Sequence, residues 1–324
     1  MGNIDIETKK YMSKNEIFAD AFNFFIHNGK KIIKPDELQE MDTTEIVIPY
    51  GNEAKEPKQK SRDILKIWAS KRGKKAIYVI LGIENQANIH YAMVVKNMLY
   101  DAMNYANQIE EAKKSYKKTT TKLTPEEFLS GFRKEDKLLP VITLTVYFGA
   151  EKWDGPMSLH EMLKIDDEEL LKYIPNYQLN LIAPKNIQDV DFDKFNTDLG
   201  KLLEYIKHQN DENLNWLLEK KYRAIDRETA DLINTVTGSK LKFEEEEKID
   251  MCRAFDNSMK MAEARGEAKG IAIGKAKGIA IGENKVWTLI NFLLRDNRQD
   301  ELQKIKDDEN KRQELYKFYG ITTN

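Results

Sequence analysis

The sequence predicts an α/β protein whose central sheet is flanked by helices and is followed by a mostly helical C-terminal region. Three short apolar stretches, rich in β-branched and aromatic residues, predict buried strands. Two stretches with apolar residues at helical spacing predict helices before and after the first two strands. In chain order these elements are a helix over 14–28, strands over 61–69 and 76–86, a helix over 90–114 and a strand over 138–148.

Composition limits the classes of protein that the chain can belong to. Its 324 residues have room for one large domain or two smaller ones. Hydrophobic residues make up 41%, enough for a core, and charged residues 33%, which is above the usual quarter or so. Because the formal net charge is only −2, any surface that binds nucleic acid must be local.

The single cysteine and the N-terminal residues bear on the compartment. Cys252 alone excludes an intrachain disulfide and a cysteine-based zinc site, which is typical of a reducing environment. Residues 1–5 lack the basic and then apolar form of a signal peptide. No apolar stretch approaches the roughly 18 residues of a membrane-spanning helix. We therefore expect a cytoplasmic protein.

Capping signals mark the two ends of the first predicted helix. Ser13 is a candidate N-cap, and Glu16 stands where a capping box has its acid. The apolar face comprises Ile17, Phe18, Ala21, Phe22 and Phe25. The Asn28–Gly29 pair ends the helix, since both residues tolerate a left-handed backbone.

Two strands with polar residues at one end predict a candidate metal site. Side chains alternate along a strand, so Glu84 and Gln86 point to the same side at the end of a buried strand. Residues 70–75 are a turn that joins this strand to the one before it, and the resulting hairpin brings Asp63 beside Glu84. Carboxylate oxygens from adjacent strands form a hard oxygen site that suits Mg²⁺.

Basic residues dominate the segment over 55–75, close in sequence to these acids. We predict that it contacts the phosphates of DNA, principally through Lys60, Arg62, Lys71 and Arg72. The alternative is that these charges belong to a solvated loop and an edge strand, where they discourage aggregation. His90, also near the Glu84 end, is one of four scattered histidines without metal-ligand spacing.

The C-terminal part contains the only internal repeat. Glycine recurs every fourth residue from Gly266 to Gly282, and every even position over 262–282 is alanine or glycine. Glycine destabilises a helix by about 1 kcal/mol, so five of them need a reason, and close helix–helix approach is one. We predict a long self-associating helix; a flexible linker or a strand are the alternatives. The predicted division is a core over 1–155, a mostly helical extension over 156–260 and a tail over 261–324.

A set of sequence blocks, in order along the chain, resembles one bacterial family. These blocks are residues 15–23, 62–66, 82–86, 97–101 and 146–149, with Trp153 and Pro156. They are similar to the Rpn family, the recombination-promoting nucleases also known as YhgA-like transposases. The resemblance implies a PD-(D/E)xK core, like that of restriction endonucleases. It also implies cleavage of double-stranded DNA and a role in recombination or transposon-like processes.

The resemblance assigns roles to individual residues. Asp63, Glu84 and the backbone carbonyl of Asn85 are expected to hold Mg²⁺ or Mn²⁺, and Gln86 to position a water molecule. Gln86 stands where the pattern usually has lysine. Lys66 lies on the opposite face of its strand, which leaves Lys96 as the better source of the missing positive charge.

One further acid is expected from the first predicted helix, because the PD-(D/E)xK fold often supplies one there. Glu16 is the first choice and Asp20 the second, and Glu16 as a simple helix cap is the alternative.

Two other functions remain open. The first is a DNA-binding protein whose nuclease site has decayed, and the second is an oligomeric scaffold built on the glycine-bearing helix.

Overall fold

The computed structural model describes residues 3–47, 58–72, 75–119, 122–211, 215–243 and 245–321. The chain forms two compact units, Met1–Ala254 and Phe255–Asn324. The helices are α1 (Asn3–Met12), α2 (Asn15–His27), α3 (Met93–Thr119), α4 (Pro125–Ser130), α5 (Glu168–Leu171), α6 (Leu199–His208), α7 (Arg227–Thr237), α8 (Met251–Arg295), α9 (Glu301–Asp307) and α10 (Glu309–Phe318). The strands are β1 (Leu38–Glu40), β2 (Thr44–Val47), β3 (Lys58–Ser61), β4 (Ile64–Arg72), β5 (Lys75–Gln86), β6 (Val141–Tyr147), β7 (Asn180–Ile182), β8 (Ile225–Asp226) and β9 (Lys248–Ile249).

A five-stranded mixed sheet in the order β1-β4-β5-β6-β7 forms the centre of the first unit. β4 and β5 form the predicted antiparallel hairpin, with Ile64 paired to Ile83 at one end and Arg72 to Lys75 at the other. β6 and β7 add parallel neighbours beyond β5. The predicted α/β class with a mixed central sheet is therefore confirmed.

Strand β5 is apolar on both faces because helices cover both sides of it. Ile80, Leu81 and Ile83 are all buried, which is typical of a strand at the centre of a mixed or parallel sheet. Phe18 and Phe22 of α2 are completely buried as well. The start of α3 joins Tyr147, Trp153 and Leu179 in one apolar cluster.

That cluster ties the chain beyond residue 155 to the sheet. Trp153 and Tyr147 contact edge-to-face, and Leu179 directly precedes β7. The predicted boundary after residue 155 consequently falls inside the first compact unit, which extends to Ala254. Between β7 and α8 this region contains α6, α7, the short β8–β9 pair and several 3₁₀ turns.

The N-terminal helices differ from the prediction. Residues 3–12 form α1, a helix that the apolar pattern did not predict. Ser13 does not cap α2, because its hydroxyl donates to the carbonyl of Lys10 in α1. At the other end of α2, Asn28 adopts the predicted left-handed conformation. Gly29 follows with φ of 83°, and a Cβ there would lie 2.4 Å from the carbonyl oxygen of Lys194.

The second unit contains most of α8 together with α9 and α10. Leu289, Leu293, Ile305 and Leu315 form its apolar core. The glycine repeat is helical, as predicted, and the five glycines have no atom within 4 Å of an added Cβ. In the described part of the chain no helix is long and apolar enough to cross a membrane.

Candidate functional site

The end of the β4–β5 hairpin brings Asp63 and Glu84 together. Each lies one residue beyond the last hairpin pair, Ile64 with Ile83, so they face each other across the two strands. The backbone N–H of Asn85 donates to Asp63 Oδ2 at 2.8 Å. The backbone N–H of Asp63 lies 3.4 Å from Glu84 Oε1. Each acid is thus held by the strand that carries the other.

Lys96 supplies a positive charge at this pair of acids. Its Nζ lies 2.9 Å from Glu84 Oε2, and the Glu84 side chain is almost completely buried. Lys96 belongs to the first turns of α3, which packs against the sheet face that carries Glu84. Lys66 lies on the opposite face, where its ammonium contacts the carbonyl of Ser13 and the side chain of Asn15.

Burial raises the pKa of both acids. For Asp63 the loss of solvent outweighs the hydrogen bond from the Asn85 N–H and the charge of Lys96, which both lower the pKa. For Glu84 burial also dominates, and Lys96 opposes it. A raised carboxylate pKa means that the negative charge is incompletely compensated by the protein. A divalent cation would complete that compensation, in competition with protons.

Asp63 opens into a cavity of about 340 Å³, which Glu84 does not line. Asp63, Asn85, Gln86 and Lys96 line it, together with residues 87–90 of the connection to α3 and Asp5 of α1. This space holds several water molecules. A phosphate group with several waters therefore fits beside the carboxylates.

Asp5 is the acidic residue of this site that the sequence analysis missed. It lies in the first turn of α1, and its charge raises the pKa of Asp63, whereas Lys9 of the same helix lowers it. Asp5 and Lys9 are four residues apart and so share one face of the helix. This acidic and basic pair at helical spacing was the available signal for a helix. It was missed because residues 3–12 lack a strong apolar stripe.

Neither acid predicted from α2 lies at the cavity. Glu16 is exposed at the start of that helix. Asp20 is buried, where its carboxylate accepts hydrogen bonds from the backbone N–H groups of Asn196 and Thr197 and from the Thr197 hydroxyl. Asp20 thus anchors residues 196 and 197, which precede α6, to helix α2. Glu16 does not reach the site.

Arg62 was predicted to contact DNA, and the structure contradicts this. Its side chain is completely buried, with Nη1 2.5 Å from Thr143 Oγ1 and Nη2 2.9 Å from Asp101 Oδ1. The guanidinium also lies over the ring of Tyr100. Arg62 is therefore an internal cation between the sheet and α3 rather than a surface contact.

Of the other predicted DNA contacts, only the side chain of Lys71 is described, and it is not next to the acids. Lys71 is exposed at the far end of the hairpin, seven residues along β4 from Ile64 and hence about 23 Å away. The side chains of Lys60 and Arg72 lie outside the described part of the structure. Residues 55–57, where the basic segment begins, lie outside it as well.

The donor set fits a hydrated, hard cation. Among the described residues, no group of three or more His, Cys, Asp and Glu side chains is arranged to hold a metal ion. Two carboxylates with peptide and amide oxygens nevertheless suit Mg²⁺, which usually keeps several of its own waters and takes only one or two carboxylates. The residues at Asp63 and Glu84 are therefore suited to a divalent cation.

Comparison with known proteins gives a family match. The family described as "Putative transposase, YhgA-like" matches residues 54–231, which is more than half of the chain. The match includes the β4–β5 hairpin, α3, β6, β7 and α6. No curated protein and no solved structure matches the chain significantly.

Proposed function

The chain belongs to the YhgA-like putative transposase family, and from that premise we propose that it is a metal-dependent DNA endonuclease. In this proposal it hydrolyses phosphodiester bonds of double-stranded DNA during recombination or transposon-like processing. The observation that carries the proposal is the carboxylate pair of half-buried Asp63 and buried Glu84, which have raised pKa values beside a cavity and a lysine. Burying charges is unfavourable unless they are compensated, so a pair of acids like this indicates a site that binds a cation.

Each residue at the cavity has a proposed role. Asp63, Glu84 and the backbone carbonyl of Asn85 hold Mg²⁺ or Mn²⁺. When bound, such a cation lowers the pKa of a water ligand and offsets negative charge on the phosphate. Gln86 holds the attacking water through its amide, and it lies on the same strand face as Glu84.

Lys96 fills the place of the lysine that Gln86 replaces. In the structure its ammonium group pairs with Glu84 Oε2 and keeps a positive charge at the mouth of the cavity, where the lysine is 30% exposed. A phosphate that enters the cavity gains this charge as a hydrogen-bond donor. Lys96 therefore orients Glu84 before binding and stabilises the phosphate after it.

The proposed DNA contacts lie on the hairpin and on the strand before it in the chain. Lys71 and Arg72 belong to β4, and Lys60 belongs to β3. The roughly 23 Å between the Ile64 and Lys71 positions corresponds to about seven base pairs at about 3.4 Å each. Lysines at this distance contribute affinity for the DNA backbone without sequence preference.

Plasmid cleavage tests the proposed activity. Purified protein is incubated with supercoiled plasmid and Mg²⁺, Mn²⁺ or EDTA, beside Asp63→Asn, Glu84→Gln and the control Glu110→Gln. Glu110 is an exposed acid of α3 that pairs with Lys113, so its loss should leave nicking unchanged. We expect metal-dependent nicking that both site variants abolish. Wild-type protein that shifts DNA in a gel but leaves it uncut with either metal would support a DNA-binding protein instead.

We also propose that the chain self-associates through the Gly266–Gly282 part of α8. Ile271, Ile273, Ile279 and Ile281 are between 43% and 65% exposed, next to glycines with open space around them. A helix that exposes isoleucine and glycine together is suited to close packing against another helix. This proposal does not depend on the nuclease site.

A further inference from the structure

The side chain of Asn85 is buried without a hydrogen-bond partner among the described residues. Asn85 is only 8% exposed, and neither Oδ1 nor Nδ2 has a partner there. Leaving a buried amide unpaired costs free energy, so such groups are rare unless a ligand or water pairs with them. The position of this amide indicates which ligand that is.

Asn85 and Asp5 line the cavity, whereas Glu84 does not. Because side chains alternate along β5, the Asn85 side chain points to the face opposite Glu84 and Gln86. Asn85, Asp5 and Asp63 nevertheless line the same cavity. Asp63 is held at the strand end by the backbone N–H of Asn85, at the boundary between the two faces. A cation at Asp63 would therefore have Glu84 on one side and the Asn85 amide on the other.

We propose that the Asn85 amide and the Asp5 carboxylate hold the water shell of the divalent cation bound at Asp63 and Glu84. This inference rests on the proposed function and adds to it a residue from α1 and a side chain from the other face of β5. Waters on a cation donate hydrogen bonds, and Asn85 Oδ1 and the Asp5 carboxylate are acceptors. Since no three acids are arranged for direct coordination among the described residues, contact through water is the geometry that remains for Asp5.

The Asn85 amide also has a donor. With its oxygen turned to the water shell, Nδ2 can donate to a non-bridging phosphate oxygen or to the attacking water. The side chain would then connect the cation's waters to the substrate. Hydrogen bonds at both the oxygen and the nitrogen of the amide would account for a polar side chain at this position. A leucine of similar size would be buried there at a lower cost in free energy.

Binding of Mn²⁺ without DNA tests the inference on the full-length protein. Titration calorimetry compares wild type with Asn85→Leu, Asp5→Asn and Asp63→Ala. The control is Glu7→Gln, since Glu7 lies on the same helix as Asp5 but lines a different cavity. We expect Asn85→Leu and Asp5→Asn to weaken Mn²⁺ binding by about 10- to 100-fold, as for other groups that orient metal ligands. Glu7→Gln should bind as wild type does.

Thermal melting in EDTA separates a ligand-binding amide from a structural one. If the amide is unpaired without metal, Asn85→Leu should raise the Tm, by about 2–4 °C for a unit of this size. A lower Tm would mean that the amide pairs within the folded protein, and would overturn the inference.

The binding data distinguish this inference from the proposed function. Unchanged Mn²⁺ affinity in Asn85→Leu or Asp5→Asn, with binding lost in Asp63→Ala, overturns the role of that residue alone. A wild-type protein that binds no Mn²⁺ overturns the proposed function and this inference together.

Discussion

Burial destabilises the ionised carboxylate of Asp63 in the folded protein. Burial raises its pKa above the ordinary value of 3.8, although it accepts a hydrogen bond from the Asn85 N–H. The folded state therefore holds this proton to a higher pH than the unfolded state does. Residues of functional sites commonly carry such a cost, because the same charge is needed to bind the ligand.

This shift predicts a pH-dependent effect of Asp63→Asn. Stability that comes from a raised pKa is present below the unfolded-state pKa and is lost as the pH rises through the folded-state pKa. The asparagine keeps an acceptor for the Asn85 N–H but does not ionise. In EDTA, the Tm of Asp63→Asn should therefore exceed that of wild type by a margin that grows as the pH rises from below 4 toward 7. Melting curves over this range check it, and a margin that shrinks with pH contradicts it.

Gly82 allows Arg62 to cross the sheet face. A Cβ at residue 82 would lie 2.6 Å from Arg62 Nη1. Nη1 donates to Thr143 and Nη2 to Asp101, which hold the guanidinium in place. Because the guanidinium is fully buried and bonded, it cannot turn aside freely.

We expect Gly82→Ala to destabilise the fold by about 1–3 kcal/mol, as overpacking does. The matched control is Gly270→Ala in the exposed part of α8, where alanine meets nothing and should stabilise the helix slightly. Urea unfolding of both variants measures the difference. Equal stabilities of Gly82→Ala and wild type would show that Arg62 moves without cost.

At the level of residues, local rules predicted some positions and not others. Alternation along β5 and the hairpin placed Glu84, Gln86 and Asp63 correctly at one end of the sheet, and Lys96 was the expected cation. The same rules could not show that Arg62 is buried, since its partners Asp101 and Thr143 are 39 and 81 residues away. Burial of a charge depends on distant partners, which periodicity does not reveal.

Among the elements, β5 was predictable and α1 was not. β5 contains a continuous apolar run that is buried on both faces from Ile80 to Ile83, which is a strong signal. α1 buries only Thr8, Tyr11 and Met12, and Tyr11 contacts Thr229 of α7 through its hydroxyl. A short helix that packs against α7, more than 200 residues away, leaves little trace in its own sequence. Asp5 of α1, and neither acid of α2, therefore lines the cavity at Asp63.

The glycine-bearing part of α8 leads to a prediction about self-association. Ile273→Gln with Ile281→Gln removes two exposed isoleucines from beside the glycines without touching the core of the second unit. Sedimentation velocity should show concentration-dependent association of the wild type and its loss in this variant. Leu129→Gln, which removes an exposed apolar side chain from α4, is the control. Wild type that sediments as a monomer at all concentrations contradicts the proposal.

For the whole molecule, the candidate site and the glycine repeat belong to different compact units. Asp5, Asp63, Glu84 and Lys96 all belong to the first unit, and the repeat belongs to the second. The predicted boundary after residue 155 lies inside the first unit, because β7 and the Trp153 cluster complete the sheet. The predicted start of the tail at residue 261 lies close to the division after Ala254. Pairing between strands that are far apart in the sequence decides which elements belong to one unit. Short-range sequence patterns do not reveal this pairing.

This separation makes truncation decisive between the nuclease and the scaffold. A chain that ends at Met261 keeps the first unit, including the buried Met251 and Ala254 at the start of α8, and loses the repeat. We expect it to bind Mn²⁺ and to nick plasmid as the full chain does, while it sediments as a monomer. Circular dichroism and melting curves confirm that it is folded. If the folded, truncated chain binds Mn²⁺ but no longer cuts, cleavage requires the repeat, as it does in nucleases whose two active sites cut one duplex together.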